Sequence, residues 1–154
     1  MKIIFLDVDG VLNSNFFISS CEGNEEVDDD KIEKLKKIQS ATGAEIVLTS
    51  TWKIYLNRDL SAHHEKGNYL IKKLASHNLY LFAVTEDSGM DRGEGIINFL
   101  ADYPDASFVI LDDEIFDDYY EYDLLSKLVL TDFYGNPGGL TDGDVEKAIR
   151  ILES

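Results

Sequence analysis

The sequence predicts an α/β fold: one doubly wound, parallel sheet of five strands with helices on both faces. Three observations lead there. Short runs such as 3–6, 46–48 and 108–111 are apolar throughout, which suits strands covered on both faces rather than on one. Segments with helical apolar spacing alternate with them. Acids and hydroxyls collect just beyond the carboxyl ends of the strands, where sheets of this kind gather their ligands.

The first strand sets the pattern. Ile3-Ile4-Phe5-Leu6 runs into Asp7-Val8-Asp9-Gly10, and acids spaced i, i+2 leave an extended backbone on the same side. Two carboxylates that close raise each other's pKa unless a cation sits between them, so the pair implies a bound metal or a shared proton. Gly10 permits a sharp exit from the strand. The same letters also fit a strand ending in an ordinary acidic loop, and the rest of the chain has to decide.

At 154 residues and 44% hydrophobic content, the chain has the size of one domain spanning 1–154, with a core of its own. Acids outnumber bases 30 to 14, a formal charge of -16. Such a field repels nucleic acid and anionic membranes unless metal ions or a local basic spot offset it. Cys21 is the single cysteine, which excludes a disulfide framework and a thiolate zinc site and suits a reducing compartment. Four apolar residues between Lys2 and Asp7 are too few for a signal peptide, and no run approaches a membrane span. A cytoplasmic location, no membrane association and no obligate protein partner are the corresponding expectations.

Residues 14–30 carry no helical period and end in acids, which suggests an excursion, a small flap or a disordered loop near the first strand. Ile32, Leu35 and Ile38 then mark an amphipathic helix, with Asp28 as cap, Glu33 and Lys37 as an i, i+4 pair and Gly43 as stop. The second strand, 45–48, leads into Thr49-Ser50-Thr51. These hydroxyls fit the cap of a helix over 52–58, and beside Asp7 they also fit a receptor for phosphate oxygens. Lys53 and Arg58 are available as extra positive charge there.

A helix over 68–78 and a strand over 79–84 follow, with His63 and His64 in a solvated stretch before that helix. Asp91 and Glu94 form a possible capping box for the next helix. Arg92 stands in its first turn, where a cation opposes the helix dipole by ~0.3–1 kcal/mol, so an anion is expected in front of it. The fourth strand, 107–111, ends in Asp112-Asp113. The tyrosine-rich acidic stretch 114–123 reads as a solvated turn with a short helix. A fifth strand over 127–131, a turn at 136–139 and a last helix capped by Thr141 complete the order.

These patches lie at one edge of the predicted sheet, so Asp7, Asp9, Thr49, Arg92, Asp112 and Asp113 can converge. Carboxylates without thiols suit Mg2+. Hydroxyl, amide and guanidinium groups opposite them suit a phosphate. The combination points to phosphoryl chemistry.

The ordered motifs DVDG, Thr49 after the second strand, a basic residue at a helix start and DD after the fourth strand resemble the haloacid dehalogenase (HAD) superfamily of phosphohydrolases over nearly the whole chain. DVDGVLN, VLTSTW, RGEGIINFL, ILDD and the late GLT resemble in particular the small HAD phosphatase domains of nucleic-acid repair proteins. The resemblance implies a Rossmann-like HAD domain with no or minimal cap. It implies Asp7 as nucleophile and Asp9 as acid and base. Thr49 with the Ser50 amide would hold phosphoryl oxygens, and Arg92 would neutralise charge. Asp7, the Asp9 carbonyl and Asp112 would hold Mg2+, with Asp113 binding it directly or through water.

The expected function is Mg2+-dependent phosphomonoester hydrolysis through an aspartyl-phosphate. The phosphorylated substrate is either a nucleic acid end, such as a polynucleotide 3'-phosphate, or a small nucleotide or metabolite. The charge of -16, with no basic patch to offset it, suits a polyanion poorly. Two other classes share such a fold: a phosphorelay receiver, whose acidic pair stands on the first strand and whose phosphorylated Asp stands on the third, and a catalytically idle binding domain.

Overall fold

The structure, a computed structural model, describes residues 1–20, 25–87 and 91–154. Its five strands are β1 (Lys2–Leu6), β2 (Glu45–Leu48), β3 (Leu81–Val84), β4 (Ser107–Asp112) and β5 (Leu128–Leu130). All pair in parallel, in the order β3-β2-β1-β4-β5. The chain steps outward from β1 to β3, returns to β4 and steps outward again, so strand order reverses between β1 and β4. Receiver sheets have the order 2-1-3-4-5, and the observed order excludes that alternative.

Alternation along β1 divides the core in two. Ile4 and Leu6 pack with Ile32, Leu35, Leu70, Leu74, Ala148 and Leu152, from α2 (Asp29–Thr42), α3 (Glu65–Ala75) and α6 (Asp142–Glu153). Ile3 and Phe5 pack on the other face with Ile96 and Tyr119, from α4 (Arg92–Leu100) and α5 (Asp117–Glu121). Burying one such aliphatic side chain contributes ~1.5–3 kcal/mol. The layers are thus fixed by the period of two in the strands and 3.6 in the helices. No helix among the described residues is long and apolar enough to cross a membrane.

Capping follows the sequence at two helices, and a third cap stands in a stretch read as solvated. Asp28 accepts from the amide of Asp30, and Gly43 closes α2 at φ +71. Thr141 and Asp144 form a reciprocal capping box on α6. Nδ1 of His64 accepts from the Lys66 amide, so this histidine caps α3, three residues ahead of the expected start.

Other boundaries differ. The segment after Ser50 is a single 3-10 turn, Thr51–Tyr55, because Leu56 is extended and bridges Ala62. β3 starts at Leu81 because Leu79 still donates to Leu74 and closes the end of α3. β5 starts at Leu128 because Lys127 completes a 3-10 turn, Leu125–Lys127. Glu33 turns to His77 rather than to Lys37.

The excursion over 14–30 contains a short helix, α1 (Asn15–Ser20). Ser14 Oγ starts it by accepting from the Phe17 amide at 3.1 Å, and it buries no residue, which is why it lacks an apolar stripe. The returning strand of chain is held on α3, where Tyr69 Oη accepts from the amides of Glu26 and Val27 at 3.1 Å each. Cys21 lies outside the described residues. Between β1 and α2 the described residues hold only α1 and loops, and between β2 and β3 only the 3-10 turn, α3 and loops.

Candidate active site

Register places the first members of the site. Leu6 pairs with both Leu48 and Leu111, and all three belong to the core on the α2 side of the sheet. The next residues, Asp7, Thr49 and Asp112, therefore turn toward the α4 side. The ladder continues under them: the Asp7 amide donates to Leu111 O at 3.0 Å, and the Thr49 amide to Leu6 O at 2.8 Å. Three side chains distant in sequence become neighbours at the point where strand order reverses.

Arg92 arrives from the first turn of α4 and is buried. Its Nη1 lies 2.9 Å from Asp112 Oδ2 and 3.3 Å from Asp7 Oδ1, and the guanidinium stacks 4.4 Å above the Phe116 ring. Burial alone would lower its pKa, but the carboxylates of Asp7 and Asp112 outweigh that and hold it well above the usual value. Asp91 does not cap this helix. Asp118 of α5 does, accepting from the amides of Gly93 at 3.0 Å and Glu94 at 2.8 Å. The buried Asp118 carboxylate at the helix start offsets the unfavourable position of Arg92 in the dipole. A Cβ on Gly93 would lie 2.7 Å from Asp118 Oδ1, so the glycine admits the cap.

Asp112 is fully buried and satisfied on both oxygens. Oδ1 accepts from the Glu114 amide at 3.1 Å, and Oδ2 accepts from Tyr119 Oη at 2.9 Å as well as from Arg92. Burial first, then the Asp112 carboxylate, push the Tyr119 phenol far up, which keeps it a donor. Asp113 approaches the turn after β1 so closely that a Cβ on Gly10, at φ +86, would lie 2.2 Å from its Oδ2. That contact accounts for the glycine in DVDG.

Asp7, Asp112 and Asp113 each place one carboxylate oxygen within 4.8 Å of the others'. Burial raises the pKa of Asp7 well above the usual carboxylate range, and the Asp112 charge adds to this despite Arg92. Burial, then Asp112, push Asp113 up to about 6. Among the described residues, the Arg92 guanidinium pairs with Asp7 and Asp112 while Asp113 adds a third carboxylate to the cluster, and buried charge left unpaired is costly. Hard oxygen donors in this number and a deficit of positive charge fit a divalent cation such as Mg2+. Nearby, Thr49 Oγ1 is buried with no hydrogen-bond partner among the described residues, which fits a hydroxyl awaiting an external oxygen.

Asp9 is separate from that cluster and exposed. Its Oδ1 accepts from Asn13 Nδ2 at 2.9 Å and its Oδ2 from Trp52 Nε1 at 3.2 Å. Ser50 Oγ accepts from the Trp52 amide at 3.2 Å and so starts the 3-10 turn that carries the indole. Lys53 is directed elsewhere, to Thr85 Oγ1 at 3.1 Å and to Asp87, and Arg58 pairs with Glu86.

Of the residues singled out from the sequence, Asp7, Arg92, Asp112 and Asp113 meet, and Thr49 stands on the same row of the sheet. Lys53 and Arg58 are occupied by other acids. Four contributors escaped the sequence reading. Tyr119 and Asp118 lie in a stretch read as solvated, although Tyr119 is fully buried and Asp118 nearly so. Asn13 and Trp52 stand inside quoted motifs, but nothing in their spacing points to Asp9.

A family model described as the HAD domain in Swiss Army Knife RNA repair proteins matches residues 3–145. No curated protein and no solved structure matches the chain. The match takes in every strand but the first residue of β1, and all of the site from Asp7 to Asp113, so the chain belongs to this family of HAD domains of RNA repair proteins.

Proposed function

We propose that the protein is a Mg2+-dependent phosphomonoester hydrolase that works through an aspartyl-phosphate on Asp7. The observation that carries this reading is the meeting of Asp7, Asp112 and Asp113 beside Arg92. Asp7, Asp112 and Asp113, with the carbonyl of Asp9, would hold the cation, which when bound neutralises phosphoryl charge and draws Asp7 and the phosphate together. Arg92 adds positive charge from the opposite side. Thr49 Oγ1, with the Ser50 amide, holds phosphoryl oxygens in place.

Asp7 attacks phosphorus as the bond to the leaving oxygen breaks. The electron pair departs on that oxygen, which takes a proton from Asp9. Asp9, now a carboxylate, accepts a proton from the incoming water as its oxygen attacks the aspartyl-phosphate. Asp7 is released as carboxylate and the phosphate leaves. Membership of an RNA repair family supports a phosphorylated nucleic acid end as substrate, such as a polynucleotide 3'-phosphate. The charge of -16 favours contact with the terminal phosphate over an extended grip on the strand.

The test is hydrolysis of an aryl phosphate by the purified chain with Mg2+, with chelator, and in Asp7→Asn. Removing a covalent nucleophile costs on the order of 10^4-fold or more in turnover, and full activity in that variant would reject the covalent route. Rates on 3'-phosphorylated oligonucleotides, 5'-phosphorylated ones, mononucleotides and sugar phosphates, compared side by side, rank the substrate classes. The 3'-phosphorylated oligonucleotide is expected to lead.

A further inference from the structure

Asp9 is exposed, yet both of its oxygens are held from beneath, one by Asn13 and the other by Trp52. Asn13 is fully buried. Its Oδ1 accepts from the Gly10 amide at 2.8 Å, which fixes the amide's orientation, and its Nδ2 donates to Asp9 Oδ1 at 2.9 Å and to Glu26 O at 2.8 Å. Trp52 is 5% exposed and packs in the core on the α2 side of the sheet, so its ring has little freedom. An edge contact with Tyr55 and a tilted one with Tyr69, at 6.0 and 6.5 Å between centroids, fix the plane in which Nε1 reaches Asp9 Oδ2.

We infer that Trp52 and Asn13 are positioning residues that hold Asp9 ready to deliver its proton to the leaving oxygen. A carboxylate oxygen has two lone pairs. The two donors occupy one on each oxygen from the protein side and leave the others for a proton aimed outward. The χ2 rotation of an aspartate is otherwise broad, and an exposed acid free to turn would meet the leaving oxygen in a fraction of its conformers. Rigid placement of an acid by packed neighbours is how a site gains this geometry without a closing segment. The inference rests on the phosphatase reading above, because it assigns the two residues to that reaction's first step.

Trp52→Phe removes the donor and keeps an aromatic ring. Single-turnover rates isolate transfer to Asp7, and two esters separate the roles: 4-nitrophenyl phosphate, whose leaving group needs little protonation, and an alkyl phosphate, whose leaving group depends on it. The variant is expected to lose about tenfold or more on the alkyl ester, within the range of general acid effects, and only about two- to threefold on the nitrophenyl ester, with KM unchanged. An equal loss on both, or none, overturns the inference while leaving the phosphatase reading intact. A wild-type chain inert toward both esters and toward phosphorylated oligonucleotides overturns that reading and this inference with it.

The contact is also readable without turnover or metal. Trp52 is the single tryptophan among eight tyrosines, so fluorescence excited beyond the tyrosine absorption band reports the indole alone. Asp9→Ala is expected to shift its emission maximum, and an unchanged spectrum overturns the contact even where Trp52→Phe does not fold.

Discussion

The guanidinium of Arg92 lies 2.9 Å from Asp112 and 3.3 Å from Asp7, so the first residue of α4 joins the ends of the adjacent strands β1 and β4. All three side chains are buried. The position is unfavourable for the helix and favourable for the sheet edge, and the sheet edge dominates because two buried carboxylates outweigh a partial helix dipole.

Arg92→Ala is expected to destabilise the metal-free protein by about 3–5 kcal/mol, the usual consequence of leaving buried charge without its partner. Mg2+ should restore part of that loss in thermal denaturation, since a cation among the three carboxylates relieves the same repulsion. Activity should stay low with Mg2+ present. A variant as stable as wild type without metal would mean that Asp7 and Asp112 are not ionised together in the folded state.

Tyr119→Phe keeps the ring in the core and deletes one donor to Asp112. Hydrogen bonds to charged groups contribute about 1.5–3 kcal/mol. Arg92 still serves the same oxygen, so the low end of that range is expected. Groups that orient a metal-binding carboxylate typically alter affinity by 10–100-fold. The Mg2+ concentration needed for half-maximal activity should rise accordingly, with little change in kcat once Mg2+ is saturating. Unchanged Mg2+ dependence would leave Tyr119 a core residue only.

Asp118→Ala uncaps α4 by removing the acceptor for Gly93 and Glu94. A loss of about 1–2 kcal/mol is expected from the cap alone. Turnover should fall as well, because the turn that loses its cap carries Arg92. Asp118→Asn keeps one acceptor oxygen and turns an NH2 toward the other amide, so it should retain only part of the stability, more than Asp118→Ala. Chemical denaturation of the two variants separates a capping role from a purely charge-based one, in which Asn and Ala would lose equally.

His77 gives the chain a pH dependence remote from the site. Its bond to Asp29, 2.9 Å from Nε2, raises its pKa against the effect of burial, and Glu33 at Nδ1 adds to this. The folded chain thus binds this proton more tightly than the unfolded one. The contribution is fully present below about 6.5, the ordinary histidine value, and fades as pH rises through the higher folded value. Its size should be under about 1 kcal/mol because Asp29 and Glu33 are largely exposed. His77→Gln should flatten the fall in stability above pH ~6.5; an identical slope in the variant would refute the assignment.

The alternation of apolar strands with helical stripes by itself determined the fold class, because side-chain period is a local property that survives any arrangement of neighbours. The positions of Asp7, Thr49 and Asp112 were likewise legible, since each directly follows or ends a strand whose apolar run marks where the sheet stops. What only the tertiary structure decided is who meets whom across the layers. Asp118 caps a helix 24 residues away in sequence, as measured to Glu94. Tyr119 enters the core beneath an acidic stretch, and Trp52 reaches Asp9 from the 3-10 turn after β2. Register between strands and the packing of α4 against α5 create those contacts, and neither leaves a periodic trace in the chain.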